Sequence, residues 1–407
     1  MVTARKLFFE GTHRTRSPAE TLADYERFLP MMGITRIANV TGLDRIGLPV
    51  CVAIRPNARS LATSQGKGET LEAARASAMM EAIESWHGER IAGPLWSESY
   101  AALVNHRRVI NPQLLAIRAD ATWQADRPLE WIEGEDLMTG KSVWVPHETI
   151  SSNFVEMTGR RPLFLKGTNG LASGNHILEA VLHGMLEVIE RDALTLWSVQ
   201  PADARKPRQV DLASIDDGHI QETIQAMVHK DVALAAWDIT SDLGIPTFTC
   251  TLIDDPDSPQ WRPIPAMSGH GTHLNPQIAF SRALHEAIQS RVTMISGSRD
   301  DMFPRDYDDA GDRGGHARLL KDWNTPPATL QFRHGDIPIS EWFEQDIATV
   351  LERLRACGLT SAVVVDLTIA GVDIPVVKVV IPGTEPVRTG VYRPGSRARL
   401  AMARSAA

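Results

Sequence analysis

Three stretches of this 407-residue chain read as helices that carry charged side chains along one stripe, and any fold must make those stripes tolerable. The longest lies within Thr168 to Asp192, TNGLASGNHILEAVLHGMLEVIERD. A Gly/Ser/Asn loop gives way to a strong helical pattern after Asn175, a residue type suited to an N-cap. At about 100° per residue, Glu179, His183, Glu187 and Glu190 fall within roughly an 80° arc of one face. Ile177, Val181, Met185, Val188 and Ile189 take much of the rest. Carboxylates sharing a stripe repel one another, which costs stability unless positive charge lies against them. A solvated acidic face is one answer. A hard divalent cation such as Mg2+, which takes oxygen ligands and bridges carboxylates to phosphates, is another.

The pattern recurs twice, which favours the second answer. A helix expected over Thr70 to Trp86, TLEAARASAMMEAIESW, brings Ser77, Glu81 and Glu84 within roughly 60° of one another. Ala73, Ala74, Ala76, Ala78 and Ala82 make it slim enough to be packed on several sides. Two unpaired carboxylates buried there would be prohibitive without a cation. A third helix, NPQIAFSRALHEAIQSR, places Arg282, Glu286 and Gln289 on one face within roughly 60°.

Each helix follows a glycine-containing segment, read as loop. Ser64-Gln65-Gly66-Lys67-Gly68 lacks the GxxxxGK[ST] spacing of a Walker A loop, though Lys67 and backbone N–H groups could still meet an anion. In Ser268-Gly269-His270-Gly271-Thr272-His273, the two histidines have no third partner and read as loop hydrogen-bonders more readily than metal ligands.

The remaining elements are ordinary for an α/β (α+β) chain with sheets packed against helices. A basic loop holding Arg14 and Arg16 precedes a helix start at Ser17-Pro18-Ala19-Glu20. Residues 34–56 read as two strands around a Gly42-Leu43-Asp44 turn, and 57–69 as loop. Residues 97–165 read as strands and connecting loops, 193–207 as irregular, and 215–229 and 340–357 as helices. Strands are expected at 232–240, 246–254, 360–368 and 374–382, and the basic tail VYRPGSRARLAMARSAA is expected to fray. No period of 20–50 residues repeats, so a solenoid is excluded. The whole reads as one unit over 1–407, with parts at about 1–165, 166–300 and 301–407.

Composition narrows the function. A net charge of −8 argues against nucleic-acid binding. Cys51, Cys250 and Cys357 form no CxxC pair and read as buried small hydrophobes in a reducing compartment. No signal-peptide core or membrane span is legible, so the expected location is the cytoplasm, with no membrane partner. Many carboxylates beside Arg14, Lys67, Arg191 and Arg282, with no Cys or His cluster, fit a polyphosphate held through Mg2+. Zn2+ would ask for His or Cys.

Ser77-x3-Glu81-x2-Glu84, Asn175-x3-Glu179-x7-Glu187-x2-Glu190-Arg191 and Arg282-x3-Glu286 together resemble the nucleotide-binding signature of YcaO-domain proteins. The likeness runs through roughly residues 10–385 and matches in residue type, spacing and order. It implies a YcaO-type fold in which the three helices converge on an ATP site. It also implies that Glu81, Glu84, Glu187 and Glu190 hold or organise Mg2+, and that Glu179 and Glu286 join that network or hold the nucleotide. Asn175, Arg191 and Arg282 would bind phosphate, with Ser77 near the nucleotide; Arg14 and Thr21 match an N-terminal nucleotide-contacting pair. Glu187, Glu190 and Arg191 are the residues expected nearest the chemistry.

The chemistry the resemblance implies is ATP-dependent activation of a peptide backbone amide by phosphorylation of its oxygen. With a sulfide equivalent as nucleophile the product is a thioamide; with a neighbouring Cys, Ser or Thr it is an azoline. The chain ends RARLAMARSAA, without the PxPxP tail common in azoline-forming members, and no extra peptide-recognition domain is legible. GITRIANVTGLDRIGLPV and SQGKGETLEAARASAMMEAIESWHGE look most like stand-alone members associated with TfuA-type partners. The leading expectation is therefore thioamide formation on a peptide or protein, with a TfuA-like partner, a sulfur donor and a homodimeric enzyme. Azoline formation is the alternative, and a nucleotide-binding accessory protein the second alternative.

Overall fold

A computed structural model describes residues 3–155, 161–308, 312–386 and 390–406. Residues 156–160, inside the 97–165 segment, and Ala407 of the tail lie outside the described residues. The strands are β1 (Arg36–Asn39), β2 (Val50–Ile54), β3 (Thr63–Lys67), β4 (Trp96–Ser99), β5 (Pro128–Asp136), β6 (Lys141–Pro146), β7 (Leu171–Ser173), β8 (Val232–Asp238), β9 (Thr247–Asp254), β10 (Met267–Thr272), β11 (Val363–Asp366) and β12 (Val376–Val380). The helices are α1 (Pro18–Tyr25), α2 (Leu71–Gly88), α3 (Tyr100–Leu103), α4 (Ile177–Ser198), α5 (Ala202–Arg205), α6 (Gly218–Val228), α7 (Pro276–Ser296), α8 (Arg305–Asp308), α9 (Arg313–Asn324), α10 (Phe343–Ala356) and α11 (Ser396–Ala406).

Strands β1, β2 and β3 form one antiparallel sheet and β8, β9 and β10 another. The third sheet runs β4-β5-β11-β12-β7, with β6 also on β5, so late strands stand between early ones. Separate apolar cores fill the space under α2, around α4 with α10 and β12, and between α7 and the β8–β10 sheet.

Three strand-then-helix units dominate: β3 with α2, β7 with α4, and β10 with α7. Their helices begin on side-chain caps at Thr70, His176 and Asn275. At matching distances from those caps come Ala74/Ala78, Ala180/Gly184 and Ala279/Ala283, then Glu81, Glu187 and Glu286. The small residues are there because helix and strand touch backbone to backbone. A Cβ on Gly66 would stand 2.0 Å from Ala78 N, and one on Gly271 2.1 Å from Ala279 O. Each helix also leans on the next unit's strand: α2 on β7, α4 on β10, α7 on β3. The units thus close into a ring.

Several local expectations are corrected. The glycine-rich segments 57–69 and 268–273 hold strands β3 and β10, because their glycines serve close packing where local propensity suggests a turn. The central helix is capped by His176, whose ring accepts Leu178 N–H at 3.2 Å; Asn175 lies one residue outside. That helix continues to Ser198, and a further turn follows at Ala202–Arg205, within the stretch expected to be irregular. Over Ser396–Ala406 the tail is helical where fraying was expected. Helix α11 is fastened by Arg397, whose Nη2 donates to the fully buried Asp192 at 2.8 Å on α4. The strands expected near 34–56, 232–240, 246–254, 360–368 and 374–382 are present within a few residues of those bounds. Among the described residues no helix is long and apolar enough to cross a membrane.

Candidate functional site

The ring encloses one cavity of about 850 Å3. Arg14, Thr21, Ser77, Glu81, Glu84, Asn175, Glu179, Glu187, Glu190, Arg191, Arg282 and Glu286 all line it. Acidic side chains far apart in sequence therefore share one cleft, because the corresponding faces of α2, α4 and α7 turn inward.

One wall is negative. Glu84 accepts the Ser173 N–H at 2.9 Å and its hydroxyl at 3.2 Å. Glu187 stands 3.7 Å from Arg191 one turn along α4. Burial, with repulsion from Glu187 and Glu81, raises the Glu84 carboxyl well above the ordinary range. Burial likewise raises Glu190 to about 7, helped by Glu286. Glu187 is raised too, again chiefly by burial. Glu81 is open to the cavity yet sits deep inside the protein; desolvation there, only partly countered by Lys67, raises it to about 7. Carboxyls raised in this way are costly to ionise without a cation against them.

The opposite wall is positive. Burial, then the neighbouring Arg14, brings Arg282 down to about 10. Its Nη1 donates to the Thr272 carbonyl at 3.3 Å, and among the described residues no carboxylate lies within ion-pair distance. Lys67 reaches Glu286 at 3.5 Å. Burial pushes Glu286 up, but Lys67, His270 and Arg191 together hold it below the ordinary carboxylate range. Arg282, without a carboxylate partner among the described residues and with Arg14 near enough to lower its pKa, calls for an anion.

Glu179 has a different duty from its neighbours. Thr15 donates to it through N–H at 2.9 Å and hydroxyl at 2.8 Å, Asn175 N–H at 3.3 Å, and Arg14 lies 3.7 Å away. Thr21 in turn donates to Asn175 Oδ1 at 3.1 Å. Glu179 thus fastens the N-terminal arm over the start of α4, which carries Arg14 into the cavity.

Sequence reasoning gave little weight to three cavity groups or neighbours. His183 occupies on α4 the place that Ser77 holds on α2 and Arg282 on α7; burial, then Arg14, Arg282 and Lys67, keep its imidazole neutral. Lys378 on β12 is buried behind the acidic wall, where desolvation lowers it to about 8 and Glu187 and Glu84 oppose that. Gln65 lines the cavity from β3. Aligning the three helices on their Ala/Gly pairs would have brought His183 forward. Of the two histidines doubted as metal ligands, His273 does bond within its loop, accepting Asn275 N–H at 2.9 Å.

The donor set fits Mg2+. The negative wall offers carboxylate oxygens, while no group of three or more His, Cys, Asp or Glu among the described residues closes on one point. Mg2+ suits such spacing, since it keeps water and phosphate oxygens in its shell and takes only one or two carboxylates.

Comparison with known proteins agrees with this picture. The sequence model of one family, described as YcaO cyclodehydratase, ATP- and Mg2+-binding, matches residues 65–385. A protein of Methanothermobacter thermautotrophicus is 36% identical over 389 residues, covering 94% of this chain and 97% of that protein. A Rhizobium leguminosarum bv. trifolii protein described as lying in the tfuA 3' region is 34% identical over 392 residues, covering 93% and 90%. Among solved structures, YcaO from Methanopyrus kandleri bound with AMPPCP and Mg2+ superposes with a TM-score of 0.72 at 23% identity, covering 96% of this chain and all of that one. A heterocyclase in complex with substrate and cofactor superposes with a TM-score of 0.77 at 25% identity; it covers 94% of this chain, which spans only 54% of the heterocyclase.

Proposed function

Since the chain belongs to the YcaO family and is an ATP- and Mg2+-dependent peptide-modifying enzyme, we propose that it activates a peptide backbone amide for conversion to a thioamide. The observation that carries the amide-activation part is the two-walled cavity, with glutamates of α2 and α4 facing Arg14 and Arg282. A triphosphate with its metal is the ligand that neutralises both walls at once.

Glu81, Glu84, Glu187 and Glu190 would hold Mg2+, which supplies neutralisation of charge on the β- and γ-phosphates. Arg282, Arg14, Arg191 and Asn175 take the phosphate oxygens. Ser77 and Thr21 border the nucleotide, Glu179 keeps Arg14 in place, and Glu286 aligns Lys67. Glu187, Glu190 and Arg191 flank the phosphoryl group in transfer. The protein's work is positioning and charge stabilisation, which this chemistry needs more than a nucleophilic side chain.

In the proposed reaction a sulfide equivalent adds to the amide carbon, and its electron pair displaces the C=O π bond onto oxygen. That oxygen attacks the γ-phosphorus and ADP departs. The C–O bond then breaks, the amide nitrogen or sulfur lone pair re-forms the double bond, and phosphate leaves carrying the former amide oxygen. Similarity to the protein of the tfuA 3' region supports a TfuA-like protein as partner, and with it the sulfur nucleophile, brought by a separate donor, that the sequence resemblance implies. The family's description as a cyclodehydratase and the likeness to a heterocyclase favour a second reading, azoline formation on Cys, Ser or Thr.

Mass spectrometry separates the two. A candidate peptide incubated with the protein, ATP, Mg2+, sulfide and the TfuA-like partner should exchange one oxygen for sulfur. Loss of one water instead would establish cyclodehydration. An unchanged peptide despite ATP turnover would overturn both and leave an accessory nucleotide-binding role.

A further inference from the structure

At the joint where α7 leans on β3, two polar side chains meet beside the cavity. At one matching pair of places between α2 and β7 stand Gly88 and Leu171, where a Cβ on Gly88 would sit 2.6 Å from Ser152 Oγ and 2.8 Å from Leu171 Cδ2, and between α4 and β10 stand Leu194 and His270. The residues standing in those places at the α7–β3 joint are Gln65 and Thr293. The Thr293 hydroxyl contacts the Gln65 carboxamide oxygen and also the Gln289 carbonyl at 2.8 Å. Gln65 is only 6% exposed, it lines the cavity, and its Nε2 has no hydrogen-bond partner among the described residues. An unpartnered buried amide is costly, so packing alone does not account for a carboxamide at this place. The backbone of Gln65 lies close enough to the Glu81 carboxylate to lower its pKa, which sets the residue beside the negative wall.

The geometry points to Gln65 as the group that binds the peptide bond to be activated, holding it beside Glu81 with Thr293 bracing the carboxamide from behind. This rests on the amide-activation reading above. A carboxamide is the side chain complementary to a peptide bond: Nε2 donates to the substrate carbonyl oxygen, and turned end for end Oε1 accepts from the substrate N–H. Bound this way, the amide oxygen lies next to the carboxylates assigned to the metal, as phosphorylation of that oxygen requires.

The probe is N-acetylglycylglycine N-methylamide, whose binding to the full-length protein is followed by saturation-transfer NMR in the presence of Mg2+ and a non-hydrolysable ATP analogue. Gln65→Leu should weaken probe binding about tenfold, the scale of one lost buried hydrogen bond, while nucleotide affinity stays at the wild-type value. Thr293→Val, which frees the carboxamide to rotate, should weaken it by a smaller factor. Equal probe binding by wild type and Gln65→Leu, or no binding by wild type, overturns the assignment. Nucleotide affinity read in the same samples separates this from failure of the parent reading, because loss of Mg2+-dependent nucleotide binding by wild type would sink the latter.

Discussion

The β3–α2 and β10–α7 units are built alike and charged differently. In both, a glycine strand lies against the backbone of the following helix, and at the same distance from its cap the helix carries a glutamate, Glu81 or Glu286, that lines the cavity. Around that shared residue the choices part. The first unit has Ser77 a turn before and Glu84 a turn after; the second has Arg282 and Gln289. Desolvation raises Glu81 to about 7, whereas Lys67, 3.5 Å from Glu286, together with His270 and Arg191 holds Glu286 below its ordinary range. One scaffold therefore serves two electrostatic purposes. The α2 unit, joined by Glu187 and Glu190 of α4, suits a cation, and the α7 unit suits an anion.

That contrast can be broken most severely from the metal side. Glu187→Gln should cut ATP turnover by on the order of a thousandfold, because charge stabilisation is the main catalytic work here; steady-state phosphate release measures it. The likeness of the two scaffolds is tested by Gly66→Ala and Gly271→Ala. Each forces a methyl into helix backbone, and each should cost about 3 kcal/mol or more, read by denaturant unfolding. A large cost for one and none for the other would mean that the units are not equivalent.

On the phosphate side, Arg282→Met should weaken nucleotide binding roughly 30- to 100-fold, and calorimetry should find most of that loss without Mg2+ as well. The pH dependence sharpens the same division. Glu81 and Glu190, both near 7, must shed protons before a metal binds. Mg2+-nucleotide affinity should fall as pH drops from 8 to 6, by up to about tenfold per unit for each proton displaced. Carboxyls raised in the folded state stabilise it fully only below their unfolded value, and that contribution is lost as pH rises through about 7. The ligand-free protein should accordingly lose thermal stability over that window, and Mg2+-nucleotide should restore it. The smallest effect is expected from Gln289→Glu, which makes the α7 stripe resemble that of α2. Added repulsion with Glu286 should weaken nucleotide binding only a few-fold.

Much of this site was legible in the sequence because helix periodicity fixes which residues share a face, and each predicted glutamate does face the cavity. The flanking strands were not, since Gly66 and Gly271 signal a turn locally and reveal their purpose only against Ala78 and Ala279. The duty of Glu179 was equally hidden, because its partner Thr15 is remote in sequence. Likewise the tail reads as a frayed basic segment until Asp192, on the far side of the same helix as Arg191, supplies the partner for Arg397. The ring itself leaves a trace in the recurring Ala/Gly pair and glutamate, spaced too widely for a search over short periods.

Diffraction from crystals grown with Mn2+ and a non-hydrolysable ATP analogue, collected at the manganese absorption edge, tests the central claim most directly. The anomalous peak should lie between the carboxylates of α2 and α4, with the triphosphate running from it toward Arg282 and Arg14. A nucleotide bound outside the ring, or a metal peak away from Glu81, Glu84, Glu187 and Glu190, would contradict it.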